Sequence, residues 1–252
     1  MNGFVGFSRS RKRRHERITS SGCVQSWFKE SADPAAGRGV RIGNFFSMLK
    51  LYLARHGQDE DNAEGLLNGH RDRPLTEKGM SQAKEVAEKI RQSDIRFHCI
   101  YASPLQRAFV TAEMIAGAIG GPIPQVLPDL IERDFGVMSG LPQTEIEARC
   151  APDILKTNTI TYFLSPEGAE TFPQLLERAT RVLKEITSMH SDGSILLVTH
   201  GDLGKMIYAS YYQLEWLEVL QKFHFGNSEL LELSPTSSPE ETHVFTITQH
   251  NH

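Results

Sequence analysis

Two histidines carry most of the chemistry this chain could do. His56 and His200 each end a short apolar run, and each is followed at once by a glycine, Gly57 or Gly201. A buried strand of an α/β sheet reads this way when it delivers side chains to its carboxyl end, where open sheets bind their ligands. Arg55 precedes the first histidine, and Arg107 falls in the first turns of a helix that follows another strand. Helix N-termini draw anions through free N–H groups and the dipole, so a cation there adds to an existing preference. Arg55, Arg107, His56 and His200 brought together would make a cationic cup sized for a phosphoryl group. The planar arginine fork donates paired hydrogen bonds to phosphate oxygens. A neutral imidazole, with a pKa of about 6.5, leaves one nitrogen free to attack phosphorus. Spreading positive charge over the phosphoryl oxygens is most of what such a transfer needs from a protein, so a metal becomes unnecessary. A carboxylic acid must still protonate the leaving oxygen and then activate water.

The elements that would position these groups alternate in type. Residues 49–54 read as a strand. Beyond a polar loop, Thr76 caps a helix on which Met80, Ala83, Val86, Ala87 and Ile90 recur at helical spacing. Residues 97–102 form a second strand running into Ser103-Pro104-Leu105-Gln106. Ser at the N-cap, Pro after it and Gln two further on predict a helix start, and Gly120 and Gly121 predict its end. Residues 127–135 read as a strand or extended segment, and residues 144–148 as a helical piece. Thr171 and Gln174 spell a capping box for a helix that buries Leu175, Leu176, Ala179, Val182, Leu183 and Ile186. Residues 194–199 are the most apolar strand, and a helix over 203–212 follows. Residues 229–233 and 243–248 read as strands. Strands alternating with helices give the α/β class.

A length of 252 residues suits one sizeable domain with an appendage. An apolar share of 39% and a charged share of 23% are ordinary for a globular chain. No apolar run approaches the roughly 20 residues that span a bilayer, so no membrane partner is expected. Nine of the 27 Lys and Arg, but only three of the 31 acids, fall in residues 1–47. That stretch is therefore net +6 and the remainder net −10. An acidic body argues against a nucleic-acid surface, and an anion pocket must be built against the overall charge. Residues 1–47 are expected to be a disordered basic extension. Competing readings for them are an organelle-targeting segment, a secretory signal, a basic arm, and an accessory extension upstream of Met48, which leads. The domain is expected over residues 48–252, as a monomer or homodimer. Cys23, Cys99 and Cys150 form neither a disulfide framework nor a zinc pattern, which favours a reducing, cytoplasmic location. Cys99 reads as a small core residue, and His250 and His252 as part of a frayed C-terminus.

Five blocks then occur in register over residues 48–204. They are Arg55-His56-Gly57 with Asn62; Pro74-Leu75-Thr76-x-x-Gly79-x-x-Gln82-Ala83; Ser103-Pro104-Leu105-x-Arg107-Ala108-x-x-Thr111-Ala112; Leu130-x-Glu132-x-x-x-Gly136; and Val198-Thr199-His200-Gly201. Together they resemble the histidine phosphatase (phosphoglycerate mutase-like) superfamily. The resemblance implies a three-layer α/β/α sandwich, with a mostly parallel central sheet and helices on both faces. It implies that His56 is the nucleophile that becomes phosphohistidine, and that Arg55, Asn62, Arg107 and His200 hold the phosphoryl group. Glu132 would be the general acid and base, with Asp129 and Asp134 as flanking alternatives, and Gln58 and Gly201 would line the pocket. No cofactor is implied. The expected activity is a metal-independent phosphomonoesterase acting on a small phosphorylated metabolite. A phosphoglycerate mutase is the runner-up, and a non-catalytic phospho-ligand-binding protein the third reading. His70 and Arg71 are read as loop residues, and Asp202 as structural or at the pocket rim.

Two departures bear on the substrate. The family commonly carries a hydroxyl residue where this chain has Asp59, and Asp59, Glu60 and Asp61 beside an anion pocket should repel a highly charged ligand unless they face away. The mutase branch typically has a Trp before the Asn and a longer insertion between acid and second histidine. Here Asp61 precedes Asn62, and 67 residues separate Glu132 from His200.

Overall fold

The computed structural model describes residues 49–236 and 238–245. Strand β1 (Lys50–Arg55) is followed by a short helix α1 (Glu60–Glu64) and by α2 (Glu77–Gln92). Then come β2 (Cys99–Ala102), α3 (Gln106–Ile119), β3 (Gln125–Val126), α4 (Ile146–Cys150), and a hairpin of β4 (Ile154–Lys156) and β5 (Thr161–Phe163). The chain continues through α5 (Phe172–Met189), β6 (Ser194–Thr199), α6 (Gly201–Tyr212), α7 (Trp216–Lys222) and β7 (Leu230–Leu233). The main sheet has the order β3-β2-β6-β1-β7, with β7 alone antiparallel to its neighbour.

Side-chain alternation explains the three layers. Successive residues of a strand face opposite sides, so a strand covered on both faces reads as an unbroken apolar run. In β1, Leu51 and Leu53 join the core beneath α5, α6 and α7, while Tyr52 and Ala54 join the core beneath α2 and α3. In β6, Ile195 and Leu197 face the first side, and Leu196 and Val198 the second. The result is the expected α/β/α sandwich. A third, smaller cluster of Leu67, Phe135, Met138, Ile146, Cys150 and Phe163 lies apart from both.

Helix α2 starts on Thr76, whose hydroxyl accepts from the Gly79 amide at 3.0 Å. Its predicted apolar face is buried except for Met80, which is 41% exposed. The Thr171 capping box opens α5 as expected, and Gly120 in the left-handed region closes α3. Four expectations need correcting. Helix α3 begins at Gln106 with Leu105 at its N-cap, so Ser103 is no cap. Residues 127–135 follow β3 and hold a single 3₁₀ turn (Pro128–Leu130) and an isolated bridge at Phe135, because Pro128 fixes its own torsion and has no N–H for a ladder. The expected strand from His243 is a single bridge to Leu231 within the described residues. Cys99 is buried in β2 as expected but is disulfide-bonded, against the expectation that the cysteines form no disulfide. Residues 1–47, His250 and His252 lie outside the described residues.

Candidate active site

The register of β1 and β6 brings the two histidines together. Arg55 pairs with Thr199, so the residues after them, His56 and His200, leave adjacent strand ends side by side. The His56 amide continues the ladder to the Thr199 carbonyl at 3.1 Å, and the two imidazole rings lie 5.0 Å apart. Gly57 is required by the neighbouring helix: a Cβ on it would stand 2.3 Å from the Gly79 carbonyl oxygen. Gly201 leaves room for the Arg55 guanidinium, whose Cζ would be 3.2 Å from an added Cβ.

His56 is 2% exposed, and its Nδ1 lies 2.6 Å from the Gly57 carbonyl oxygen. A carbonyl only accepts, so Nδ1 carries the proton and Nε2 keeps its lone pair. Burial first, then Arg107 and Arg55, holds the His56 pKa well below its ordinary value. The ring is therefore neutral at neutral pH. His200 is depressed in the same way by burial, Arg107, His56 and Arg55. Its Nε2 sits 2.7 Å from the Ser103 hydroxyl, and its buried Nδ1 has no partner. The Ser103 hydroxyl is thus shared between His200 and the Leu105 amide, which donates to it at 3.3 Å just before the helix.

Arg107 is fully buried. Its Nη1 and Nη2 donate to the carbonyls of Arg71 and Gly69 at 2.6 and 2.9 Å, and its Nε stands 3.4 Å from Asp59 Oδ2. Each Nη keeps one N–H not used in these bonds. Arg55 is held by the Phe225 carbonyl at 2.7 Å, with its Nε buried and unpaired. Of the acidic run, Asp59 meets the cup. Asp59 caps α1, accepts from Asn68 at 2.8 Å, and looks inward at Arg107 and at His56 Nδ1, 3.9 Å away. Glu60 pairs with Arg73, and Asp61 takes a two-pronged bond from Arg71 at 2.8 and 3.2 Å. Glu60 and Asp61 are thus paired with arginines outside the cup, whereas the Asp59 carboxylate stays beside Arg107 and His56.

Glu132 lies at the start of α6, accepting from the amides of Arg133, Leu203 and Asp202 at 2.9, 3.1 and 3.3 Å. Burial and the Asp202 carboxylate still raise its pKa above the usual range, although these bonds and Arg107 oppose them. Its backbone carbonyl is gripped by His70 at 2.7 Å and by Arg178 at 3.1 Å, so His70 acts as a loop residue that fixes the acid. Asn62 accepts from Asn227 at 3.3 Å, and Asn227 also donates to the His56 carbonyl at 2.9 Å. Gln58 is set by Gln82 and Thr76.

A cavity of about 530 Å³ opens over this floor, with Arg55, Gln58, Asn62, Glu132, Gly201 and Asn227 in its wall. His56, His200 and Arg107, all buried, are not among the residues that line it. Sequence reasoning missed Asn227, which has no motif around it and reaches His56 across 171 residues of chain. It also missed Lys205 and Tyr162 in the wall. Arg133, also in the wall, runs between the rings of Phe163 and Phe172, 4.2 and 4.3 Å from their centres, and bonds Asp202 at 2.9 Å. A buried arginine leaves no trace in a hydrophobic pattern.

The sequence model of the histidine phosphatase superfamily (branch 1) matches residues 51–248. The chain is 34% identical over 167 residues to a metal-independent phosphoserine phosphatase of Arabidopsis thaliana, covering 64% of this chain and 68% of that one. It is 33% identical over 156 residues to a 2,3-bisphosphoglycerate-dependent phosphoglycerate mutase of Methylobacterium sp. (strain 4-46), covering 60% and 75%. Among solved structures, it is similar to a phosphoserine phosphatase from Entamoeba histolytica in complex with 3-phosphoglyceric acid. The TM-score is 0.61 at 26% identity, over 81% of this chain and 98% of that one.

Proposed function

This chain belongs to the histidine phosphatase superfamily, and on that footing we propose that it hydrolyses a small phosphorylated metabolite through phosphohistidine at His56. The observation that carries this reading is the state of His56: a buried, neutral ring whose proton is tied to the Gly57 carbonyl, leaving Nε2 as the nucleophile. In the first step Nε2 forms the bond to phosphorus as the ester P–O bond breaks, and Glu132 gives its proton to the leaving oxygen. In the second, the Glu132 carboxylate takes a proton from water, whose oxygen attacks phosphorus. The N–P bond breaks, phosphate leaves and the acid is restored. Arg55, Arg107 and His200 stabilise charge on the phosphoryl oxygens in both steps, with Asn62 at the rim. These groups supply the charge a metal would otherwise bring.

The test is a substrate panel with inorganic phosphate as readout, together with mass spectrometry of acid-labile phosphate on the quenched enzyme. Phosphoserine and 3-phosphoglycerate belong first in the panel, given the relatives' names. Phosphate release with label on His56 supports the reading, and undiminished activity in His56→Ala overturns it. The similarity to a phosphoglycerate mutase favours a second reading, in which the phosphoryl group returns to a sugar acid. Exchange between phosphoglycerate isomers without phosphate release would select it.

A further inference from the structure

Lys205 stands on α6, one turn beyond Gly201, and is 3% exposed. Its only hydrogen bond among the described residues runs from Nζ to the Tyr162 hydroxyl oxygen at 2.7 Å, with the ring centre 5.2 Å away. A phenol is neutral, and an ammonium removed from water needs a counter-charge. Among the described residues none is supplied within ion-pair distance, because the nearby carboxylates are committed elsewhere. Asp202 is bound to Arg133, and Glu132 to three backbone amides. Glu229 takes the Gly226 amide at 2.7 Å and lies 3.5 Å from His243. Lys205 and Tyr162 lie in the wall of the same cavity as Arg55 and Glu132.

We propose that Lys205, positioned by Tyr162, is a second anion subsite that takes the carboxylate of a phosphorylated carboxylic acid while its phosphoryl group is held at His56. This rests on the phosphohistidine reading of the site and names the class of substrate. One ammonium and one hydroxyl match a single negative charge, whereas a second phosphoryl group would call for a cluster of arginines. Arg55 and Lys205 line the same cavity, so one small molecule can present an anionic end to each. Burial brings Lys205 down to about 8; Asp202, Glu132 and Glu229 pull it back up, and Arg55 pushes it down. His224 is the other titratable group that senses it. A bound carboxylate holds the proton on, so affinity for an acid substrate falls as pH rises through about 8.

The experiment compares Lys205→Met with the unaltered full chain on matched pairs: O-phosphoserine against O-phosphoethanolamine, and 3-phosphoglycerate against glycerol 3-phosphate. The expected result is a loss in kcat/KM roughly ten- to a hundredfold larger on each acid than on its counterpart without the carboxylate, carried in KM. Lys205→Arg should recover part of that difference, and the rise in KM for the acids above pH 8 should vanish in Lys205→Met. Equal losses on both members of each pair, with phosphohistidine still forming, would overturn the subsite and leave the phosphatase reading standing. Absence of phosphohistidine and of phosphate release from all four compounds in the unaltered protein would overturn both.

Discussion

At the scale of single residues, the proposed mechanism calls for a neutral His56 and a protonated Glu132, and the surroundings of each push it in that direction. His56 must be neutral to attack, and burial with two arginines keeps it so well below its ordinary pKa. Glu132 must carry a proton to act first as an acid, and burial beside Asp202 raises it. The rate should therefore hold on the acid side of pH 6.5 and decline as pH rises through the raised Glu132 value. In Glu132→Gln that alkaline limb should disappear, with kcat lower by roughly 10²–10⁴-fold on an alkyl phosphate. The loss should be much smaller for enzyme phosphorylation by p-nitrophenyl phosphate, whose leaving group needs no proton. Equal losses with both compounds in stopped-flow assays would count against Glu132 as the acid. Asp59 shows why a residue type is not yet a role. Its charge suggested repulsion of the substrate, but it is turned inward to Arg107 and caps α1.

At the scale of elements, the first turn of α2 presses on the loop after β1. A Cβ on Gly79 would fall 1.9 Å from the Gln58 carbonyl oxygen. Alanine in a helix normally gains up to about 1 kcal/mol over glycine, yet Gly79→Ala should destabilise by about 1–3 kcal/mol and disturb His56. Gly117→Ala in α3, where a Cβ would meet nothing within 4 Å, is the control and should be neutral or stabilising in urea unfolding. The sheet and its long helices were legible because their burial follows a local period: β1 and β6 as apolar runs, α2 and α5 as capped amphipathic stretches. What was not legible depends on distant partners. The hydroxyl of Ser103 has the right neighbours for a cap, and only the fold places His200 beside it. Lys205 and Arg133 look like surface cations in sequence, although both are buried. The short helices α1 and α7 and the β4–β5 hairpin carry too few residues to show a period.

At the scale of the whole molecule, burying two neutral histidines makes the fold sensitive to acid. Their folded pKa values lie below the unfolded value of about 6.5, so the unfolded chain binds more protons as pH falls. Stability from this source is complete above pH 6.5 and is lost progressively below it. Asp59 and Glu132, raised in the fold, act in the opposite sense as pH falls through their raised values. Comparison with His56→Asn/His200→Asn isolates the histidines: its melting temperature should drop less between pH 7.5 and 5.5, and an identical drop would refute the argument. The hairpin of β4 and β5 has another kind of consequence. It forms a sheet of its own, hydrogen-bonded to no strand of the main one, yet residues 159–163 make one side of the cavity. Heritable change in that segment can alter which molecules are accepted without passing through the strands that carry His56 and His200.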